Sequence, residues 1–175
     1  LIIALAVKIS DHKGPIIFKQ TRVGKNGKLF TMYKFRSMYA DAEERKAALQ
    51  EYNESGGPTF KMKNDPRIYP LGRILRKFSL DEIPQLFNIL KGDMSVVGPR
   101  PPVPAEVAEY LPWHKMRLSV TPGLTCFWQV SGRSNVTFEE WMRLDNQYVR
   151  HGNFGVDAQL IAKTFKVVIK GDGAY

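Results

Sequence analysis

Hydrophobic and polar positions along this chain predict a small hairpin first and helices afterwards. Residues 16–23 and 28–36 have the patterns of two strands, and residues 24–27, Gly-Lys-Asn-Gly, form a turn-rich connection between them. This arrangement predicts an antiparallel β-hairpin. Residues 39–52 are mostly charged residues and alanines and predict a surface helix, which ends before the loop-forming residues 54–58.

Three later segments predict further helices. In residues 71–78 the apolar side chains recur at i, i+3, i+4 and i+7 with cations on the other faces, and residues 158–170 repeat this arrangement. Each is either a helix that faces the core with a solvated basic face or a helix that lies in a membrane interface. Residues 137–150 predict a third helix, because Thr137 and Glu140 match a capping box.

The first seven residues are all apolar and are followed by a lysine. This run is far shorter than the roughly 20 apolar residues that a membrane-spanning helix needs, and no basic leader or cleavage site marks a complete signal peptide. Its local pattern predicts a short buried helix or strand. Because the chain lacks an initiating methionine, we expect it to be a piece of a longer protein.

Composition is that of one compact domain with a real core. The chain has 175 residues, of which 43% are hydrophobic, and a formal net charge of +9. This charge favours anionic partners, such as lipid head groups, nucleotides or nucleic acid. The single cysteine, Cys126, supports neither a disulfide within this chain nor a cysteine-based metal site, and the three histidines have no metal-ligand spacing. The predicted fold class is α+β, a helix-rich single domain with a small β-hairpin.

Two adjacent carboxylates, Asp81 and Glu82, follow three cations and precede a proline-rich segment that contains Arg100; the cations are Arg73, Arg76 and Lys77. Acids beside cations indicate a site that handles phosphates. In such a site one carboxylate is free to hold a metal ion or to attack phosphorus.

The same acids also have a structural interpretation. Ser79 and Glu82 fit a capping box at the start of a helix whose apolar stripe lies within residues 83–90. A helix that starts with Asp81 as its cap is the alternative, because Pro84 then falls inside the first turn. The local pattern does not decide between a structural and a chemical role.

Several motifs occur in one order along the chain. They are Lys34-Phe35-Arg36-Ser37-Met38, Asp81-Glu82, Gly98-Pro99-Arg100-Pro101, and Pro122-Gly123-Leu124-Thr125 followed by Gln129-Val130-Ser131-Gly132-Arg133. With this ordered set the chain resembles the bacterial sugar transferase family, the monotopic phosphoglycosyl transferases that act on polyprenyl phosphate. The resemblance covers nearly the whole chain, and Cys126 departs from it where many members carry glycine.

The resemblance implies transfer of a sugar phosphate from a UDP-sugar to polyprenyl phosphate with release of UMP. In this interpretation Asp81 is the nucleophile that forms an aspartyl phosphosugar, and Glu82 holds Mg²⁺. Lys34, Arg36, Arg100 and Arg133, which lie inside the matching motifs, are candidates for binding substrate phosphates. The sugar is expected to be a hexose, such as galactose or glucose.

The resemblance also implies a location on the cytoplasmic face of a bacterial inner membrane, in contact with anionic lipids. Residues 1–10 would then be the end of a re-entrant membrane helix, and residues 11–175 would be the catalytic domain. In this interpretation the basic amphipathic helices lie in the membrane interface.

Two other functions remain as alternatives. One is a catalytically silent membrane module that scaffolds glycan-assembly proteins, against which the intact Asp81-Glu82 pair argues. The other is a nucleic-acid-binding domain, which the basic charge alone suggests; because the chain has no zinc-finger spacing or aromatic RNA-binding motif, we expect no nucleic-acid partner. The oligomeric state does not follow from the sequence.

Overall fold

The computed structural model describes residues 1–132 and 136–170, which form a helix-rich α+β fold, as predicted. The α-helices are α1 Ile2–Ser10, α2 Ala42–Lys46, α3 Pro70–Lys77, α4 Gln85–Leu90, α5 Pro104–Ala108, α6 Phe127–Val130, α7 Phe138–His151 and α8 Phe154–Lys170. The strands are β1 Ile17–Val23, β2 Leu29–Phe35, β3 Ser95–Val97 and β4 Gly123–Thr125, and 3₁₀ turns lie at Lys25–Gly27, Ala47–Tyr52, Leu80–Glu82 and His114–Ser119. The surface helix predicted over residues 39–52 is α2 together with the 3₁₀ turn that follows it.

Strands β1 and β2 form the predicted antiparallel hairpin. Their register runs from Ile17 opposite Phe35 to Val23 opposite Leu29. In the connecting turn Asn26 adopts a φ of 55°, a left-handed conformation that asparagine tolerates better than most residues. The turn chemistry read from the sequence therefore sets the register of the hairpin.

Helix α4 is fastened to the second strand of this hairpin by one buried side chain, Asn88. Its Oδ1 accepts a hydrogen bond from the Tyr33 amide at 3.1 Å, and its amide nitrogen donates to the Thr31 carbonyl at 2.7 Å. The asparagine thus satisfies two backbone groups that an edge strand would otherwise present to solvent. This attachment places β2 beside the acidic pair that precedes α4.

The helices predicted over residues 71–78, 137–150 and 158–170 correspond to α3, α7 and α8. The capping box at the start of α7 is present: the Glu140 amide donates to Thr137 Oγ1 at 3.3 Å, and the Thr137 amide donates to Glu140 Oε2 at 3.2 Å. The local signals for the start of this helix are confirmed.

The main core packs around α7. A buried cluster of four apolar side chains consists of Tyr110, Phe138, Trp141 and Met142. Beside it, Arg117 and Asp145 form an ion pair at 2.6 Å with both side chains fully buried. Removing one partner of such a pair leaves an uncompensated buried charge, so the pair holds α7 in a fixed position against the 3₁₀ turn that contains Arg117.

A second, parallel pair of strands is absent from the sequence prediction. Strands β3 and β4 are three residues long, which is too short for a recognisable period. Their position is nonetheless marked by two motif glycines, because a Cβ on Gly123 would overlap the backbone of Val97 and Gly98. This close approach fixes the chain segment that leads to Arg100.

Replacing Gly123 by alanine is expected to lower the free energy of unfolding by about 2 kcal/mol or more, because no side-chain rotation relieves an overlap with backbone atoms. Urea unfolding followed by circular dichroism measures the loss. Gly155→Ala is the control, since the atom nearest to its new methyl group is a side-chain oxygen, that of Asn153 at 3.2 Å, and not a backbone atom, and alanine favours a helix. Equal stability of the two variants would contradict the tight β3–β4 contact.

Many large apolar side chains lie on the surface instead of in the core. They are Leu1, Ile2, Leu5 and Ile9 around α1, Ile83, Leu86, Phe87 and Leu90 around α4, and Phe165 and Ile169 on α8. The prediction of a short buried element at the N-terminus is therefore wrong: the segment is a helix, but Val7 is its only buried residue. Within the described residues, no helix combines the length and the apolar character needed to cross a bilayer.

Candidate active site

The acidic pair lies in a 3₁₀ turn between α3 and α4. Ser79 precedes the turn with a left-handed φ of 52°, and α4 begins only at Gln85, after Pro84. Both predicted helix starts are therefore wrong, because the Ser79 side chain makes no capping hydrogen bond and Asp81 lies within the 3₁₀ turn. The turn gives the two adjacent carboxylates different surroundings.

Glu82 is paired with Lys34 of β2. Lys34 Nζ lies 2.7 Å from Glu82 Oε1, and both side chains are more than four-fifths buried. Burial alone would raise the pKa of Glu82, but the positive charges of Lys34 and Arg100 outweigh it and hold this pKa below its ordinary value. Burial lowers the pKa of Lys34, and the Glu82 charge opposes that change. Of the two acids, Glu82 is thus the one whose ionised form is favoured by its surroundings.

The pKa of Asp81 is shifted in the opposite direction to that of Glu82. It is 6% exposed, and burial raises its pKa above the ordinary value, while the charge of Lys34 opposes the rise. The neighbouring Glu82 charge adds to the rise and Arg76 opposes it. Two carboxylates whose pKa values are pushed apart by their environments are suited to different chemical roles.

Arg100 follows the β3–β4 pair and lowers the pKa of Glu82 through its charge. Its backbone is held by two buried arginines: Arg117 donates to the Arg100 carbonyl at 2.7 Å, and Arg22 donates to the Pro101 carbonyl at 2.8 Å. No acceptor in residues 1–132 and 136–170 takes a hydrogen bond from the Arg100 guanidinium. The fold thus fixes this segment while leaving the donors of Arg100 open to a ligand.

Two arginines near the acidic pair are absent from the sequence prediction of the site. The charge of Arg76 lowers the pKa of Asp81, and its Nε donates a hydrogen bond to Ser37 Oγ at 3.1 Å. Arg22 is buried beside Arg100, and both burial and that neighbouring charge lower its pKa. Periodicity does not distinguish Arg76 from the other cations of α3, because all of them lie off the apolar stripe.

The structure brings Lys34, Glu82 and Arg100 together, but it does not place Arg36 with them. The Arg36 guanidinium pairs with the Asp11 carboxylate and donates to the Pro15 carbonyl at 2.7 Å. It thus joins the end of β2 to the segment after α1. The predicted phosphate-binding role of Arg36 stays a prediction, and Arg133, the fourth candidate, lies outside the described residues.

Arg36→Gln is expected to lower the free energy of unfolding by about 3 kcal/mol, because the Asp11 carboxylate and the carbonyl groups of Asp11, Pro15 and Met38 lose their donor in a largely buried place. Chemical unfolding measures the loss. Arg45→Gln is the control, since Arg45 pairs with Asp41 on the surface at 3.7 Å and such pairs contribute about 1 kcal/mol at most. An Arg36→Gln variant of normal stability that bound a sugar nucleotide poorly would support the phosphate-binding role instead.

A metal ion at this site would have few protein ligands. Across the part of the chain that the structure describes, no three histidine, cysteine, aspartate or glutamate side chains converge. Mg²⁺ is commonly held by one or two carboxylates, with waters and substrate phosphates completing its shell. The ionised Glu82, next to Asp81, fits such a shared site.

The family model for bacterial sugar transferases matches residues 1–171. The match takes in the acidic pair, the Lys34 strand and the Arg100 segment. The chain belongs to the bacterial sugar transferase family.

Several curated relatives are similar to the chain over nearly its whole length. The chain is 49% identical over 173 residues to the galactosyl transferase CpsE of Streptococcus agalactiae, and this alignment covers 98% of the chain. It is 45% identical over 183 residues to the undecaprenyl-phosphate galactose phosphotransferase of Salmonella typhimurium, covering 100% of the chain. In both cases it spans only 38% of the relative. It is 40% identical to the exopolysaccharide production protein ExoY of Rhizobium meliloti, of which it spans 79%.

Proposed function

We propose that the protein transfers a sugar 1-phosphate from a UDP-sugar to polyprenyl phosphate and releases UMP, as the first step in assembling a lipid-linked polysaccharide. Membership of the bacterial sugar transferase family supports the reaction class. The relative named as an undecaprenyl-phosphate galactose phosphotransferase supports a hexose donor and a polyprenyl acceptor. The structural observation that carries the proposal is the pair of adjacent, largely buried carboxylates, of which Glu82 contacts Lys34 at 2.7 Å and Asp81 is 6% exposed.

In this proposal Asp81 is the nucleophile. Its carboxylate oxygen attacks the phosphorus that bears the sugar, the bond from that phosphorus to the UMP oxygen breaks, and UMP leaves with the electron pair. An oxygen of polyprenyl phosphate then attacks the same phosphorus and expels the Asp81 carboxylate, which regenerates the enzyme. Burial of Asp81 favours this role, because a carboxylate with little hydration loses less solvent when it approaches phosphorus.

Both steps bring anions together, so the cations around the pair are part of the proposal. Arg100 has donors that no described residue takes, and its backbone is fixed by Arg117 and Arg22. A guanidinium can hold phosphate with two parallel hydrogen bonds. Lys34 adds a positive charge beside Glu82. These two residues are therefore the proposed phosphate contacts that the geometry supports best.

The proposal includes a magnesium ion and a membrane. Mg²⁺ held by Glu82 would neutralise charge on the substrate phosphates. The exposed apolar side chains of α1, α4 and α8 support contact with a lipid surface, since a soluble monomer rarely leaves so many uncovered. The basic charge favours anionic head groups, so we place the protein on the cytoplasmic face of a bacterial inner membrane.

A catalytically silent membrane module is the second candidate. The same exposed apolar surface would support it. Burying two carboxylates beside Lys34, Arg76 and Arg100 argues against it, because raising the pKa of a buried acid costs stability and such perturbed acids are concentrated at reactive sites.

Intact-protein mass spectrometry on the full-length protein tests the proposal. The protein is incubated with Mg²⁺ and a panel of UDP-sugars without acceptor, beside an Asp81→Asn variant. An added mass equal to a sugar phosphate, absent from the variant, would support the covalent route and identify the donor. UMP release only after polyprenyl phosphate is added would indicate direct transfer, and no reaction in either assay would favour the silent module.

A further inference from the structure

A largely apolar cavity of about 310 Å³ lies directly beside the acidic pair. Its walls come from the segment between α3 and α4, the β3–β4 pair and one face of α8. The principal apolar side chains are Phe78, Ile83, Val96, Leu124, Phe165 and Val168. Four uncharged polar residues and Glu82 also line the cavity, so that a mostly apolar chamber carries a charge of the proposed active site; the uncharged ones are Ser79, Thr125, Gln129 and Thr164.

The cavity is open to an apolar surface. Ile83 and Val96 are each 42% exposed and Phe165 is 67% exposed, although all three also line the cavity. The same side chains therefore form both the wall and the entrance. An apolar chain lying on the outer surface of α4 and α8 could enter without first crossing a polar barrier.

Among the described residues that line the cavity Glu82 carries the charge, and the cations Lys34 and Arg100 act on Glu82 from outside the lining. Glu82 is paired with Lys34 at 2.7 Å, and Arg100 acts on both of them electrostatically. A ligand that fits both the apolar walls and these cations is an amphiphile with an anionic head and an apolar tail. A nucleotide sugar is polar along its whole length and would leave the apolar wall without matching contacts.

We propose that this cavity binds the first isoprenoid units of the polyprenyl phosphate acceptor, with its phosphate directed to Lys34 and Arg100. This inference rests on the proposed function and adds the place of the acceptor. A phospholipid acyl chain has similar chemistry, but its head group would then occupy the place beside Asp81 where the acceptor phosphate has to react. The cavity is small and holds only the start of a long chain, so the remainder lies along the exposed apolar surface of α4 and α8.

Filling the cavity tests the assignment. Val168→Phe adds bulk to the wall formed by α8, whereas Ala162→Phe adds the same ring at an exposed position of that helix outside the cavity. In full-length protein, Val168→Phe is expected to raise the KM for polyprenyl phosphate about tenfold or more, as small steric changes in apolar pockets do. The Ala162→Phe variant should match the unaltered protein. UMP release without acceptor, which needs only the donor, should be unchanged in the Ala162→Phe variant.

A photoreactive polyprenyl phosphate with its label on the first isoprenoid unit gives a second readout that does not depend on a variant. Crosslinks to the cavity face of α8, at residues 161–168, support the assignment. Crosslinks confined to the outer face of α4, or an unchanged acceptor KM in Val168→Phe, would overturn it. If the unaltered protein neither released UMP nor formed a lipid-linked product, the proposed function itself would fail, which is a separate outcome.

Discussion

Asp81→Asn is expected to reduce sugar-phosphate transfer by about a thousandfold or more, the size of loss that follows removal of an enzyme nucleophile. Asparagine has nearly the same shape as aspartate but cannot form the acyl phosphate that the proposed route requires. A radiolabelled UDP-sugar, polyprenyl phosphate and the full-length protein in detergent or lipid discs give the rate directly.

The same substitution should not weaken the fold. Because burial raises the pKa of Asp81 in the folded state, folding favours its protonated form. The stabilising contribution is therefore complete below the pKa of the unfolded chain, near 4, and is lost as the pH rises through the folded pKa. At neutral pH the ionised side chain costs stability, and the neutral asparagine removes that cost.

Asp81→Asn is thus expected to unfold at the same or a higher denaturant concentration than the unaltered protein at pH 7, with the difference shrinking toward about pH 4. Asp41→Asn is the control, because Asp41 is exposed and pairs with Arg45 at the surface at 3.7 Å; it should change neither rate nor stability. An inactive Asp81→Asn protein that was also strongly destabilised would indicate a structural role for this carboxylate.

Local signals predict much of this fold, and contacts between distant segments account for most of what they miss. The β1–β2 hairpin and α7 are set by a turn and a capping box within a few residues of each element. The β3–β4 pair depends instead on the close approach of Gly98 and Gly123. A glycine in a motif can indicate a close approach between two backbone segments. The sequence does not show, however, that Gly98 and Gly123 are the two residues that approach each other.

The sequence likewise predicts some residues of the candidate site and misses others. The motifs identify Lys34, Glu82 and Arg100, and the structure brings these three together. They give no indication that Arg36, two residues from Lys34 on the same chain segment, is engaged by Asp11. Nor does a helical pattern show that Arg76 faces the acidic pair, because charge and period are alike for the other cations of α3. Which cation serves the fold and which serves a ligand depends on the partner that tertiary structure supplies.

The exposed apolar stripe of α4 is another feature that the sequence predicts only in part. Periodicity predicts that residues 83–90 present one apolar face, but it does not say what that face meets. In the structure Leu86, Phe87 and Leu90 are at least half exposed, while the buried contacts of α4 are made by the polar Gln85 and Asn88. The helix is therefore inverted relative to an ordinary surface helix, with its amide side chains against the protein and its apolar side chains outside.

Glu82→Gln is expected to slow transfer about a hundredfold and to raise the Mg²⁺ concentration for half-maximal rate about tenfold or more, because the ion loses its charged protein ligand. The measurement is the transfer rate across a Mg²⁺ titration in chelator-treated protein. Glu109→Gln, at an exposed position of the chain, is the control and should leave both quantities unchanged.

A second explanation of the same loss is that Glu82 only neutralises Lys34, its partner at 2.7 Å. Lys34→Met and the double variant Lys34→Met/Glu82→Gln separate the two explanations. If neutralisation were the whole role, removing Glu82 would cost nothing further once Lys34 is gone, and the Mg²⁺ dependence of the two Lys34→Met proteins would coincide. If Glu82 holds the ion, its removal shifts the Mg²⁺ dependence in both backgrounds, because the lysine contributes charge but no metal ligand.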